Sequence, residues 1–197
     1  MINNFDLFEK LLTFEEPGEY YHVYILRRGK DHGDHRDSLI KSYYVKNVDY
    51  YRAKQDEIIK LCDLFGARCY GIPSVKNFRR TAFEVLKIAS DKIYREDYSN
   101  LDKIFASATD SIGSKRPLWI LDYDYSDTVT DETIAADAEF INTIEPLGEN
   151  KIKAVIPTKH GKHVITKPFN IQAFGEHNTK DLIHKNNPTL LYIPDIK

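Results

Sequence analysis

Two aspartates two positions apart follow an apolar run in the second half of the chain. Residues 118–124 read Leu-Trp-Ile-Leu-Asp-Tyr-Asp, so the run ends with Asp122 and Asp124. Because strand side chains alternate between faces, both carboxylates should point to one side. Two neighbouring anions are costly unless a cation lies between them. The pattern predicts a divalent metal site for Mg²⁺ or Mn²⁺, although an Asp-x-Asp pair is also typical of a helix cap or a solvated edge.

A second polar segment joins two predicted strands through a tight loop. Residues 156–163 read Ile-Pro-Thr-Lys-His-Gly-Lys-His. Gly161 is expected to adopt positive φ and to leave backbone N–H groups open to an anion. Hydroxyl and ammonium donors surround it: Thr158, Lys159 and Lys162. The loop therefore predicts a phosphate-binding hairpin that ends at His163, with a hydrogen-bonded strand histidine as the alternative role for that residue.

The second half of the chain shows the clearer order of elements. Hydrophobic periodicity predicts strands at 118–122, 152–156, 163–166 and 189–193, and helices at 130–144 and 171–184. This β-α-β-β-α-β order is the ferredoxin-like (RRM-like) unit, in which two helices cover one face of a sheet. Its first and third strands are neighbours, so we expect the aspartates to lie beside the histidine hairpin.

The first half predicts a smaller α/β module. Short strands are expected at 20–26, 39–45 and 67–72, and helices at 5–14, 49–65 and 74–93. A polar segment around residues 95–116 separates the halves, which gives modules at 1–112 and 113–197. The predicted fold class is α+β, with the two modules packed as one unit.

Together these motifs resemble the archaeo-eukaryotic primase (primase-polymerase) superfamily, in a small, diverged form of the phage or mobile-element type. Asp122 and Asp124 are similar to its first motif, and Thr158, Gly161 and His163 to its second. The resemblance implies metal-dependent nucleotidyl transfer from an NTP or dNTP on a nucleic-acid template. Asp122, Asp124 and His163 would be the catalytic residues.

The same resemblance implies a third carboxylate on the final strand, where Asp195 is the matching residue. Asp122, Asp124 and Asp195 would then be the metal ligands. Single-stranded DNA or a template-primer, and other replication proteins, would be the partners. Asp127 is a lower-ranked ligand candidate, since with Ser126 and Thr128 it also reads as a turn.

Basic residues of the first half offer further anion contacts. Lys76, Arg79 and Arg80 stand where a helix begins, so they are predicted to bind phosphate, with a solvated helix face as the alternative. The run 27–36 mixes Arg, Lys and His with Asp, and is interpreted as a mobile loop rather than a nucleic-acid patch or a metal site. Four tyrosines could stack on bases but are expected in the core: Tyr43, Tyr44, Tyr50 and Tyr51.

Composition narrows the class of protein. The 197 residues carry a formal net charge of −2, which gives no global positive field for unspecific nucleic-acid binding. Cys62 and Cys69 fit no metal-finger spacing and are expected to be buried and reduced. No apolar run suits a membrane span, so we expect a cytoplasmic protein. The competing hypothesis is a non-catalytic module that binds nucleic acid or protein.

Overall fold

The computed structural model describes residues 1–195; residues 196 and 197, the end of the second predicted module, lie outside it. The protein is α+β and contains two antiparallel sheets. The strands are β1 (Ile2–Asn3), β2 (Glu19–Arg27), β3 (Ser38–Val45), β4 (Arg68–Gly71), β5 (Lys76–Asn77), β6 (Trp119–Asp124), β7 (Ile152–Pro157), β8 (Gly161–Thr166), β9 (Ile183–His184) and β10 (Thr189–Ile193). The α-helices are α1 (Phe5–Glu9), α2 (Gly29–His32), α3 (Val48–Phe65), α4 (Phe78–Tyr94), α5 (Ile104–Ser111), α6 (Asp131–Thr143) and α7 (Ile171–His177).

The first sheet has the order β1-β10-β4-β2-β3, and β5 pairs with the start of β2. Side chains of β2 alternate between its two faces. One face, with Tyr21, Val23 and Ile25, belongs to a core that includes aromatic and aliphatic side chains of α1 and α3. Both cysteines are free and buried in this core, as the sequence predicts.

The second sheet has the order β7-β8-β6-β9, with every pairing antiparallel. Leu121 and Tyr123 of β6 point to a core shared with α6 and α7. Ile120 belongs to the other core, together with Ile156 of β7. The second sheet therefore packs against the first through its helix-free face, and Asp122 and Asp124 lie on that face by alternation.

The final predicted strand, 189–193, does not lie in the second sheet. As β10 it joins the first sheet between β1 and β4, and the short β9 takes the position beside β6. Every residue of β10 is buried. A strand that is apolar on both faces fits a position between two neighbours, whereas an edge would expose it. The residues 113–197 therefore contribute strands to both sheets.

The predicted helix 171–184 is also shorter in the structure. The side chain of Asn170 caps α7 at its start, and Asn178 ends it in an extended conformation. A 3₁₀ turn, Lys180–Leu182, and then β9 follow. Asparagine favours such ends because its side chain competes for backbone hydrogen bonds. In residues 1–195 we find no helix with the length and apolarity that a bilayer crossing requires.

Candidate functional site

A cleft of about 500 Å³ opens between the two sheets. From the second sheet and its hairpin, six residues line it: Asp122, Asp124, Thr158, Lys159, His160 and His163. The opposite wall comes mainly from β2, α2 and β4, and consists of Tyr24, Leu26, Arg28, Lys30, Asp31, Asp37, Arg68 and Tyr70. Asn187 and Pro188, which precede β10, and Leu190 of β10 complete the lining. The structure thus brings both sequence motifs to one cavity.

The two aspartates project from β6 into this cleft. The Asp122 side chain is 43% exposed. Asp124 is exposed, and its carboxylate makes no side-chain hydrogen bond or ion pair with any residue of the described range. Between them, Tyr123 points to the opposite face and donates a 2.8 Å hydrogen bond to the buried Asp137 of α6. This bond anchors β6 to the helices, so the aspartates stand on a fixed strand.

His163 faces Asp122 directly across the pairing of β6 and β8. Its Nε2 lies 3.1 Å from Asp122 Oδ1, and its Nδ1 lies 2.9 Å from the Thr189 hydroxyl. The interaction with His163 lowers the pKa of Asp122, although partial burial acts in the opposite sense. Both ring nitrogens therefore have protein partners, and in this arrangement the imidazole orients a carboxylate.

Gly161 is needed for a different reason from the one that the sequence suggested. It lies opposite Asp124 in the register, and a Cβ atom there would overlap the carbonyl oxygen of Tyr123. Its φ is not among the positive values, so the expected left-handed conformation is absent at this residue. Close approach of two backbones, rather than turn geometry, requires glycine here.

The hairpin presents three side chains to the cleft. The Thr158 N–H donates to the Gly161 carbonyl at 2.9 Å, and the His160 carbonyl accepts from Tyr125. Thr158, Lys159 and His160 line the cleft, so a hydroxyl, an ammonium and an imidazole are available to an anion. Lys162 lies outside the lining and forms a 2.8 Å ion pair with Asp131 at the start of α6.

The opposite wall carries charges of both signs, with Arg28, Lys30 and Arg68 against Asp31 and Asp37. Arg28 and Lys30 come from the mixed-charge run 27–36, which folds around α2. Asp37 accepts from the Gly29 N–H at 2.9 Å, which closes this segment on itself. The alternation of Arg and Asp was the available signal, but charge pattern alone does not say which side chains turn inward.

Arg68 joins this wall from β4. It forms a 2.7 Å ion pair with Asp31, and the two side chains are only 9% and 10% exposed. One further polar atom on each, Arg68 Nε and Asp31 Oδ2, is buried without a hydrogen-bond partner in the described structure. This buried pair joins α2 to β4. Removing either partner would leave an isolated buried charge.

Three further predicted phosphate contacts do not reach the cleft. Lys76 is buried, and its ammonium donates to the Ile112 carbonyl at 2.6 Å, while desolvation lowers its pKa. Arg79 and Arg80 are exposed at the start of α4. The strand β5 that precedes them pairs with Glu19 and Tyr20, at the opposite end of β2 from Arg28. All three residues therefore lie away from the cleft.

Asp195, a predicted metal ligand, and Asp127, a lower-ranked candidate, also lie away from the cleft. Asp195 forms an ion pair with the amino group of Met1. It follows the C-terminal end of β10, whereas Thr189 is at the N-terminal end of that strand. Six extended residues span about 20 Å, so Asp195 does not join Asp122. Asp127 is exposed in the turn after β6, where the Ser126 hydroxyl accepts from the Val129 N–H. Neither residue lines the cleft.

The donor set in the cleft fits a hard divalent ion only with help from a ligand. Within residues 1–195, no group of three or more His, Cys, Asp or Glu side chains is arranged to hold a metal by itself. Mg²⁺ is commonly bound by one or two carboxylates together with substrate phosphates and water. Asp122 and Asp124 can supply that share. Comparisons of the chain with family models, curated proteins and solved structures gave no significant match.

Proposed function

We propose that this protein binds a nucleoside triphosphate with Mg²⁺ or Mn²⁺ in the cleft and acts as a primase-polymerase-like nucleotidyltransferase. One observation carries the proposal: two motifs that are distant in the sequence line one wall of a single cavity. The first motif supplies Asp122 and Asp124, and the second supplies Thr158, Lys159 and His163. The volume of about 500 Å³ lies within the range of small-molecule and cofactor sites.

Each side chain has a role that follows from its surroundings. Asp122 and Asp124 would hold the metal, which when bound neutralises the charge that develops on the transferring phosphate. Thr158, Lys159 and His160 would bind the phosphate oxygens. His163 would position Asp122 through Nε2 rather than grip phosphate, because both of its ring nitrogens already have partners. The residues act by positioning and electrostatics, and none forms a covalent intermediate.

We interpret the second sheet as a ferredoxin-like sheet with a reduced fourth strand. In the β-α-β-β-α-β unit the third strand lies between the first two, and the fourth pairs with the outer side of the first. The observed order β7-β8-β6-β9 follows that rule, with β9 of two residues in the fourth position. The two helices α6 and α7 pack on one face, which leaves the other for the cleft.

A nucleic-acid template and its primer would be the second substrate. Since the formal net charge is −2, the contact must be local. Arg28, Lys30 and Lys159 provide positive charge at the cleft. Such a protein would take part in DNA replication and would meet other replication proteins there.

Thermal unfolding with nucleotide and metal tests the proposal. Mn²⁺ plus a nucleoside triphosphate should raise the melting temperature by several degrees, and either one alone should raise it little, because each completes the site of the other. Asp122→Asn and Asp124→Asn should each abolish this joint effect while the free proteins unfold cooperatively. Asp127→Asn is the matched control, since it removes an exposed aspartate outside the cleft.

An unchanged joint shift in both cleft variants would refute the proposal. Primer extension on a single-stranded template then tests the transfer step, with the same three variants compared at equal protein concentration. Binding that survives without extension would restrict the function to nucleotide recognition.

The positive charges of Arg28 and Lys30 at the cleft favour one alternative, a non-catalytic module that binds single strands. Arg28 and Lys30 would then contact nucleic acid without any metal. That function predicts binding which weakens steeply with salt and which is indifferent to Mg²⁺ or Mn²⁺. Titration of an oligonucleotide at two salt concentrations, with and without Mn²⁺, distinguishes it from the enzyme.

A further inference from the structure

One face of the first sheet carries a row of aromatic side chains that the proposed chemistry does not use. Tyr20, His22 and Tyr24 alternate with the core residues of β2, so they share the face opposite to that core. Tyr20 is fully buried and stacks on Phe78, with ring centroids 4.2 Å apart. This end of the row therefore lies under the start of α4.

The helices do not cover the whole row of aromatic side chains. His22 stacks on Tyr44 at 5.2 Å, and Tyr44 in turn contacts Phe105 of α5. Tyr24 is the next residue along the face, is only half-buried, and lines the cleft. The helices α4 and α5 thus cover the aromatic row at one end, while its other end opens to the cavity.

Tyr24 has an aromatic partner on the neighbouring strand. Tyr24 and Tyr70 are direct cross-strand partners, and their ring centroids lie 5.8 Å apart with an angle of 32° between the planes. Tyr70 is half-buried and also lines the cleft. We call Tyr24 and Tyr70 the tyrosine pair. The positive charges of Arg68 and Arg28 lie near the Tyr70 phenol and oppose the rise in its pKa that burial causes.

The tyrosine pair lies close to the metal and phosphate side of the cleft. Tyr70 of β4 pairs with Leu190 of β10. The residue before Leu190 is Thr189, whose hydroxyl contacts the His163 ring at 2.9 Å. One strand spacing of about 4.8 Å therefore separates the backbone of Tyr70 from the segment that contacts His163. A ligand anchored at Asp122 can extend to the tyrosines within the same cavity.

We propose that the tyrosine pair binds the base of the nucleotide whose phosphates lie at Asp122, Asp124 and the hairpin. The inference rests on the proposed function, and it assigns the base to a part of the cleft that no motif of the sequence indicated. Purine and pyrimidine rings stack on aromatic side chains with little regard to sequence, because every base has a π-face. The pair selects a heterocycle, and the hairpin selects the phosphates.

Calorimetry with two ligands separates the base from the phosphates. Inorganic tripolyphosphate with Mn²⁺ should occupy the acidic wall and the hairpin alone, whereas a deoxynucleoside triphosphate with Mn²⁺ should also engage the tyrosines. The wild-type protein should bind the nucleotide about tenfold more tightly than tripolyphosphate, as expected for one stacked base. Tyr70→Leu and Tyr24→Leu should each reduce that ratio and leave the tripolyphosphate affinity unchanged.

Two controls fix the interpretation. Tyr70→Phe keeps the ring and should keep the ratio. Tyr98→Leu removes a tyrosine that is 63% exposed and outside the cleft, and it should behave as wild type. A fluorescent 2-aminopurine nucleoside triphosphate provides a readout in the unmodified protein, since stacking on the tyrosines should quench its emission when Mg²⁺, which is diamagnetic and does not itself quench, is present.

The outcomes are distinct. Equal wild-type affinity for the two ligands, without quenching of 2-aminopurine, would overturn the inference and leave the proposed function standing. Equal losses for both ligands in the leucine variants would also overturn it, because the tyrosines would then only support the wall. If neither ligand binds the wild-type protein, the proposed function fails and the inference fails with it.

Discussion

His163 faces Asp122 across two paired strands of the second sheet, and the far side of its ring is held by a strand of the first sheet. Nε2 lies 3.1 Å from Asp122 Oδ1, and Nδ1 lies 2.9 Å from the hydroxyl of Thr189 on β10. An imidazole that carries its proton on Nε2 directs it at the carboxylate and accepts the hydroxyl at Nδ1. The orientation of Asp122 therefore depends on how the two sheets are joined.

Thr189→Val should weaken binding of Mn²⁺ with a nucleoside triphosphate by about tenfold, although residue 189 would touch neither ligand. Groups that orient metal-binding side chains typically contribute 10- to 100-fold in affinity. Valine keeps the shape of threonine but cannot donate to Nδ1, so the imidazole loses the partner that fixes its tautomer. Thr189→Ser restores a hydroxyl and should restore most of the affinity. Calorimetric titration of the three proteins measures the effect.

A general loss of stability is controlled by a second buried threonine. The Thr81 hydroxyl contacts the Tyr20 hydroxyl at 2.8 Å under α4, away from the cleft. Thr81→Val should cost about 1 kcal/mol of unfolding free energy, as a lost buried hydrogen bond does, without changing ligand affinity. Equal weakening of binding in the Thr81 and Thr189 variants would show that the hydroxyl at 189 has no special role.

Gly161→Ala should destabilise the protein by at least about 3 kcal/mol, because the new methyl group would overlap backbone and not a flexible side chain. The atoms it meets are the Tyr123 carbonyl and the Asp124 Cα, so relief requires β6 and β8 to separate near the aspartates. Denaturant unfolding measures the loss. Gly113→Ala is the control, since no atom lies within 4 Å of a Cβ there and it should change stability by less than about 0.5 kcal/mol.

A small loss in Gly161→Ala, similar to that of Gly113→Ala, would contradict the close packing of the two strands. A partial loss of stability accompanied by a full loss of nucleotide binding would instead show that the spacing between the strands, more than overall folding, sets the geometry of Asp124.

The sequence predicted which face of β6 carries the two aspartates more reliably than it predicted the partners of that face. Alternation along 118–124 depends only on strand geometry, and the structure places Asp122 and Asp124 on one side of β6 lining the cleft. The neighbouring position of His163 followed from the predicted strand order and is observed as a direct register pair. Both expectations rest on short-range regularity, which the local sequence encodes.

The destination of the last strand could not be obtained in the same way. The run 189–193 is apolar on both faces, which indicates a strand but not the sheet that it joins. That choice depends on which sheet offers a gap with two neighbours, and β1 and β4 provide it. The assignment of Asp195 as a metal ligand depended on the other choice, so it is not supported by the position of β10.

The residues of the opposite wall were not predicted, because their sequence patterns fit more than one structural role. Arg28 and Lys30 stand in a run with alternating charge, which is equally typical of a solvated loop. Tyr24 and Tyr70 belong to strands whose aromatic residues read as core, and most of their neighbours are indeed buried. These two tyrosines line a cavity because α4 and α5 cover only the other end of the aromatic row. How far the helices cover the row depends on tertiary packing.

Acidification from pH 7 to pH 5.5 should lower the free energy of unfolding through His22 by about 1 kcal/mol. Burial, with a smaller effect of the Lys76 charge, lowers the pKa of His22 from 6.5 to about 4. Its Nε2 lies 3.1 Å from the Ser42 hydroxyl, and Nδ1 is buried without a hydrogen-bond partner in the described structure. Between pH 6.5 and 4 the unfolded chain therefore binds a proton that the folded chain does not, so stability falls as the pH falls.

Denaturant unfolding of wild type and His22→Gln at both pH values measures this contribution. The quantity compared is the change in unfolding free energy between the two pH values in each protein. The glutamine variant should lose about 1 kcal/mol less than wild type over the same interval. Asp110 near Lys76 titrates in the opposite sense, because burial raises its pKa, and its contribution cancels between the two proteins. His35→Gln, at an exposed position, should follow wild type. Equal pH dependence in all three proteins would mean that His22 is protonated at no cost inside the fold.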